Sequence, residues 1–405
     1  MKPLGEYLPL LVDGGHVLGT FGKQLLGAIR PPPFDYRPAD QAAAVAALHP
    51  DRLRVRVTRR EPAGVFAALI TLAPEGGVLP VFKSGQYVNV FVTVDGVRTS
   101  PPFSIASPAT RRDALTILVR RQAGGFVSPH LVDHAALGDV LEISGPAGDF
   151  FYHPLRDRPD LLMVAGGSGV APFLGILEEL AARSAPVRSV LLLGSRTEAD
   201  LLLRERLARL EAERPCQLQV IHVLSEPGPM WSGETGFIDG ACVLRHVPAE
   251  RLAGMSAFVC GPAPLLALAR AELPRVGVPR HRIRTEAYGP PADITGEPGW
   301  PAGLSADARF AVRLAPGGRT ISARAGEPLM NALERAGVVV PALCRSGVCA
   351  TCRTRLLEGR VFHPAGAALR ATDLSAGYIH PCLAYPVADL VLRLPQSAGS
   401  RADLP

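Results

Sequence analysis

Four cysteines, Cys344, Cys349, Cys352 and Cys382, stand in a C-x4-C-x2-C run whose last member follows after twenty-nine further residues. Four thiolates at those intervals form the set that holds one [2Fe–2S] cluster, a store for a single electron. Gly347, Val348 and Ala350 between them are small enough to let the backbone wrap a cluster and aim amides at its sulfurs. Those amides stabilise the negative charge gained on reduction. A structural zinc ion is the competing reading, but zinc takes two paired C-x2-C or Cys/His knuckles and does not need the four-residue gap. A one-electron store cannot obtain its electron unaided, so a donor site is expected elsewhere in the chain.

A second constellation suits that role. The apolar run Leu161 to Ala165 enters Gly166-Gly167-Ser168-Gly169-Val170-Ala171-Pro172 and a helical stretch through Ala182. Strand, glycine turn and helix make the geometry that cradles phosphates, because glycine lets the backbone approach and the helix N-terminus offers free N–H groups. Packing alone also produces such turns. Phe258-Val259-Cys260-Gly261-Pro262 is another strand end running into a helix, and Arg284 to Gly289 closes the segment, which decides for a nucleotide site.

The elements that must position these groups follow from the apolar pattern. At 405 residues the chain is long enough for two or three domains. Strands dominate from Leu53 to Ile143, and apolar strands alternate with helical stretches from Leu161 to Glu286, so a β-barrel followed by an α/β domain is expected. Asp200 to Glu213 reads as one amphipathic helix. Gly289 to Leu304 has four Pro and four Gly and reads as an extended linker. Beyond it, Arg309–Leu314 and Arg319–Ala323 read as strands, Pro328–Ala336 as a helix, and Arg353–Leu357 and Leu390–Leu394 as short strands. The expected boundaries are 51–153, 158–289, a linker at 290–304, and 305–398; residues 1–50 fit none of these.

Apolar residues make up 47% of the chain, yet no run of eighteen lacks a charge or a break, so a soluble chain without a transmembrane segment is expected. No secretory leader is legible, and Cys216, Cys242 and Cys260 show no pairing pattern, which fits a reducing cytoplasm. Of a net charge of +6, most lies after 305, where twelve Arg face seven acidic residues. Aromatics are only 6% and no basic stripe or nucleic-acid motif appears, which speaks against nucleic acid and for an acidic protein partner. Arg345, Arg353 and Arg355 flank the cluster ligands and are expected to help form its docking face.

Residues 305 to 398 resemble the plant-type ferredoxin domain, which implies a β-grasp (α+β) fold. Residues 53 to 290 resemble the ferredoxin–NADP reductase superfamily, and the whole chain resembles its branch with a C-terminal ferredoxin. The resemblance implies a multidomain protein: an antiparallel flavin-binding β-barrel, an α/β nucleotide-binding domain with a parallel sheet, and the ferredoxin. Phe103-Ser104-Ile105-Ala106-Ser107 matches the flavin-binding strand, and Gly124-Gly125-Phe126-Val127-Ser128 the second phosphate motif. Where the family has Arg two residues before the aromatic, this chain has Pro101, which offers neither charge nor N–H. Arg98, Arg120 and Arg121 are the candidates to replace it, and a more readily lost flavin is expected.

The same match implies FAD rather than FMN, through Gly124, Gly125 and Ser128. It places NADH, with NADPH as the alternative, over Gly166, Gly167, Ser168, Gly169 and Pro172. Arg196 and Glu226 lie where the nucleotide 2′-position is read. Ser104 near the flavin N5, Cys260 with Gly261 and Pro262 at the nicotinamide, Glu286 closing the pocket and Tyr288 against the ring complete the implied site. The expected function is an NAD(P)H-dependent reductase passing electrons through FAD and the cluster to an oxygenase, desaturase, corrinoid protein or similar acceptor. The alternative is a non-catalytic electron carrier or redox sensor with an impaired flavin site.

Overall fold

The computed structural model describes residues 52–122, 124–214, 217–291, 293–364, 367 and 369–395. The N-terminal extension read at 1–50 lies outside them.

The first sheet has seven strands: β1 (Leu53–Pro62), β2 (Ala67–Pro74), β3 (Tyr87–Val94), β4 (Val97–Thr99), β5 (Pro102–Ser104), β6 (Leu115–Arg120) and β7 (Val140–Ile143). All its pairings are antiparallel, in the order β4-β3-β7-β1-β2-β6, with β5 on β3. Alternation explains the core: Val88, Val90, Val92 and Val94 of β3 point one way into the barrel interior with Ile70, Ile117 and Ile143. Tyr87 and Asn89 point the other way and are buried as well, so this strand is covered on both faces.

The second sheet is wholly parallel, built from β8 (Asp160–Gly166), β9 (Arg188–Ser195), β10 (Leu218–Leu224), β11 (Glu234–Thr235), β12 (Ser256–Gly261) and β13 (Ile283–Ala287), in the order β11-β10-β9-β8-β12-β13. Its strands read as continuous apolar runs because both faces are covered. One face packs the helix Ala171–Ala182 and the other the helices Gly240–His246 and Ala263–Arg275. The chain order reverses between β8 and β12, and in open α/β sheets that crevice is where ligands sit.

The helix expected over Asp200–Glu213 begins only at Arg204. Leu201, Leu202 and Leu203 are all buried, and the Leu203 N–H donates to Ala63 O at 3.0 Å, so these leucines dock on the β1–β2 turn instead of entering the helix. The barrel residues Ala63, Ala67, Leu69, Ala106 and Leu118 thereby share one apolar core with the parallel sheet.

The last part holds a five-stranded sheet of β14 (Arg309–Ala315), β15 (Arg319–Arg324), β16 (Thr354–Glu358), β18 (Tyr378–Ile379) and β20 (Leu390–Arg393), with a separate pair, β17 (Val361–Phe362) and β19 (Tyr385–Pro386). The helix Leu329–Arg335 packs on it through Leu329, Met330 and Leu333. β20 lies between β14, with which it is parallel, and β16, with which it is antiparallel. The segment read as an extended linker is instead a series of tight turns. Ile294 is buried, and the Trp300 ring meets Phe362 and Tyr385 edge-on at 5.3 and 6.4 Å, so large apolar side chains fold it onto this part. Among the described residues no helix is long and apolar enough to cross a membrane.

Candidate functional site

The four cysteines converge as two pairs. Cys344 Sγ accepts the N–H groups of Ser346 and Cys349 at 3.4 and 3.3 Å, while Cys352 Sγ and Cys382 Sγ lie 3.4 Å apart. Hydrogen bonding inside each pair splits the thiols: Cys344 pulls Cys349 down to about 4, Cys382 pulls Cys352 down, and Cys344 and Cys382 are pushed up. Among the described residues no three His, Cys, Asp or Glu side chains converge on one point. Two pairs of thiolates suit two irons taking two ligands each. Buried His380 braces the loop, with Nδ1 3.0 Å from Gly347 O and Nε2 3.0 Å from Asp373 Oδ2.

Arg345 does not belong to a docking face. Its side chain is 13% exposed and paired with Glu334, and its Nε donates to Ser100 O at 3.1 Å, so its charge is spent inside the molecule. Arg353 and Arg355 do remain exposed, both stacked on the Tyr378 ring.

Ser104, at the end of β5, meets residues from the far edge of the parallel sheet. Its Oγ is 2.5 Å from Tyr288 Oη and 3.4 Å from Glu286 Oε2, and Cys260 Sγ lies 4.0 Å from that same oxygen. The β12–β13 register sets Cys260 beside Glu286. Burial pushes the Glu286 carboxyl up to about 8, against the Ser104 hydroxyl, which lowers it, and with Asp149, which adds to the rise. Burial also raises the Cys260 thiol and the Tyr288 phenol. Near neutral pH this pocket holds no net charge, which suits two stacked rings exchanging a hydride.

Phe103 packs half-buried on the barrel core opposite Val88. Ile105 follows with its side chain fully buried among the barrel residues, its N–H donating to Gln86 O and its carbonyl against Gly175. Sequence reasoning missed Tyr87, which pairs with Ser104 across β3 and β5. Burial raises its phenol most, and the charges of Cys344, Cys349, Glu286 and Asp149 add to the rise, so it lies within electrostatic reach of both the hydride pocket and the first two cluster ligands. The signal was an aromatic on the non-valine face of β3.

The glycine turn splits by purpose. A Cβ on Gly169 would lie 2.1 Å from Cys260 O, and one on Gly166 2.8 Å from the Pro262 ring, so both serve close packing of the β8 and β12 ends, where Gly261 adopts φ +155°. Gly167, at φ +52°, faces Arg120 instead, whose Nη1 would be 2.6 Å from an added Cβ. Ser168 follows in the same turn, and Pro172 opens the helix Ala171–Ala182. Arg120 thus lies beside the glycine turn, and Asp200 Oδ1 holds its Nη2 at 2.6 Å. Burial raises the Asp200 carboxyl, but Thr197, Arg120 and Arg196 together bring it below the ordinary value. Sequence reasoning hid Asp200 by assigning it to a helix.

Arg196, 3.5 Å from Asp200 Oδ2, and Glu226, whose N–H donates to Arg196 O at 2.8 Å, lie together past the ends of β9 and β10. The flavin phosphate candidates are less closely bound. Gly124 has φ +67° with open space around it, Gly125 donates to Gln122 O, and Ser128 Oγ accepts the Gln122 N–H at 3.1 Å, at the start of the helix Val127–His134. Arg98 is exposed on β4, with no ion pair or hydrogen bond from its side chain among the described residues. Its charge and the N-terminus of Val127–His134 fit a phosphate-bearing flavin, while Pro101 supplies only a carbonyl, which accepts the Val90 N–H.

Three family models match in the order of these sites: an oxidoreductase FAD-binding domain over 74–152, an oxidoreductase NAD-binding domain over 163–271 and a 2Fe-2S iron-sulfur cluster binding domain over 312–387. The chain carries the FAD-binding, NAD-binding and [2Fe–2S] domains of a ferredoxin-reductase-type oxidoreductase. The reductase is 28% identical over 317 residues to the ferredoxin reductase component of 3-ketosteroid-9-alpha-monooxygenase of Rhodococcus rhodochrous, covering 76% of this chain and 86% of that one. To the glycine betaine monooxygenase reductase of Pseudomonas aeruginosa it is 25% identical over 327 residues, covering 78% and 88%. Phthalate dioxygenase reductase shares its fold with a TM-score of 0.64 at 24% identity, covering 85% of this chain and 98% of that one. The reductase is an NAD(P)H-dependent oxidoreductase that moves electrons from NADH through FAD to a [2Fe–2S] cluster and on to a one-electron partner. The non-catalytic carrier is not favoured.

Proposed function

We propose that the reductase is the electron-supplying component of an oxygenase, delivering single electrons to an acidic protein partner from the face that carries Arg353 and Arg355. When bound, FAD converts the hydride of NADH into single electrons that the cluster can hold. The chain's own residues do the rest. Gly167 and Arg120 receive the nucleotide pyrophosphate, and Cys260 and Glu286 wall the nicotinamide. Ser104 offers its hydroxyl at the flavin N5. Tyr288, whose hydroxyl lies 2.5 Å from Ser104 Oγ, would lie against the flavin ring. Arg98, Gly124, Gly125 and Ser128 anchor the flavin phosphates.

The observation that carries this reading is that one strand serves both centres: Tyr87 of β3 pairs with Ser104, and Asn89, two residues on, donates to Leu343 O beside Cys344. Reductase components of monooxygenases among the relatives support the partner class, and the exposed arginines support its acidity. We place the protein in a reducing cytoplasm because Cys242 and Cys260 are buried free thiols. An anaerobic visible spectrum before and after limiting NADH tests the relay. Bleaching of flavin and cluster bands together is expected; a cluster that stays oxidised beside reduced flavin refutes it.

A further inference from the structure

Leu343 and Arg345 flank the first cluster ligand, and the flavin barrel holds both. Asn89 of β3, fully buried, donates through Nδ2 to Leu343 O at 2.9 Å and to Ser100 O at 2.6 Å. Arg345 Nε donates to that same Ser100 carbonyl at 3.1 Å, while its guanidinium head takes both carboxylate oxygens of Glu334 on the helix Leu329–Arg335. Glu334 is buried, and Asn89 Oδ1 has no hydrogen-bond partner among the described residues.

We propose that Arg345 is a positioning residue which, with Glu334 and Asn89, locks the cluster module onto the flavin barrel and so sets the rate of the flavin-to-cluster electron step. The inference rests on the relay proposed above. Three features separate this lock from an ordinary surface pair. The ion pair is shielded from solvent, so salt screens it weakly. The planar fork of Arg345 serves a carboxylate and a carbonyl at once, which a lysine cannot reproduce. The residue also sits at φ +50°, a left-handed conformation costly for any residue with a Cβ, and its side-chain contacts offset that cost. A glycine would adopt this backbone freely, so a side chain is present here for what its head does.

The test uses the full-length holoprotein and anaerobic stopped-flow mixing with NADH. Arg345→Gly keeps the loop backbone and removes the lock. Cluster content and the cluster's EPR spectrum should be those of the wild type, flavin reduction should be unchanged, and cluster bleaching should slow by about tenfold or more, the loss of one buried charge-assisted hydrogen bond. Arg345→Lys should fall between the two. Combining Arg345→Gly with Asn89→Ala should be less than additive, because both act on Ser100 O. Should the glycine variant load cluster poorly, Glu334→Gln, outside the ligand loop, carries the same expectation. Wild-type bleaching rates in a fully loaded variant would overturn the lock, as would an equal slowing of flavin reduction. A wild-type cluster that NADH never reduces would remove the relay, and the lock with it.

Discussion

The Glu286 carboxyl offers a pH test worked directly from the pocket. Burial holds its titration near 8 instead of the usual 4.5, so the neutral form is favoured and its contribution is lost as pH rises through about 8. A group titrating there is roughly nine-tenths protonated at pH 7 and about one-tenth at pH 9. Ser104 Oγ lies within 3.4 Å of Glu286 Oε2, and an ionised carboxylate is the stronger acceptor, so ionisation draws the Ser104 hydroxyl away from the flavin N5. NADH-driven flavin reduction, followed by single-turnover absorbance, should fall by about tenfold between pH 7 and pH 9. Glu286→Gln keeps a neutral amide at the same place and should give a flat profile over that window, with a pH 7 rate within about threefold of wild type. A flat wild-type profile, or the same inflection in the glutamine variant, would show that Glu286 does not govern the step.

Three other outcomes follow from the geometry. Gly169→Ala sets a methyl 2.1 Å from Cys260 O, backbone against backbone, and should destabilise the parallel sheet by about 3 kcal/mol and abolish NADH turnover while dithionite still reduces the cluster; an unchanged melting temperature and KM for NADH would contradict it. Glu226→Arg, beside Arg196, should shift the NADH-to-NADPH preference in kcat/KM toward NADPH, and no change would remove Glu226 from cofactor choice. Reversing Arg353 and Arg355 to Glu should slow reduction of the acidic partner and flatten its salt dependence without touching dye reduction by the flavin; unchanged delivery would place the exit face elsewhere.

What the sequence disclosed was the chemistry borne by short local motifs. The cluster ligands, the glycine turn after β8 and the strand end at Cys260 each combine residue type with spacing, so they could be read without knowing the fold. The groups that escaped reading act across long intervals. Asp200 looked like the first turn of an amphipathic helix, since nothing local says that Leu202 and Leu203 must instead fill the barrel interface. Asn89 interrupts a run of β-branched residues, a sign of a second buried face, but its partner lies 254 positions away. Arg345 looked like a surface charge because its acceptor, Ser100 O, is a backbone atom of another module. Gly169 was read as making room for a phosphate, whereas the structure gives it to strand packing.

The place of β20 bears on how the protein matures. The middle strand of the ferredoxin sheet is the last of that sheet to be synthesised, and both β14 and β16 wait for it. The barrel, by contrast, has its last strand by Ile143. During translation at some 5–20 residues per second, the barrel can close well before the iron site acquires either Cys382 or its central strand. A chain interrupted between Ile143 and Cys382 would hold every strand of the barrel and lack the fourth cluster ligand.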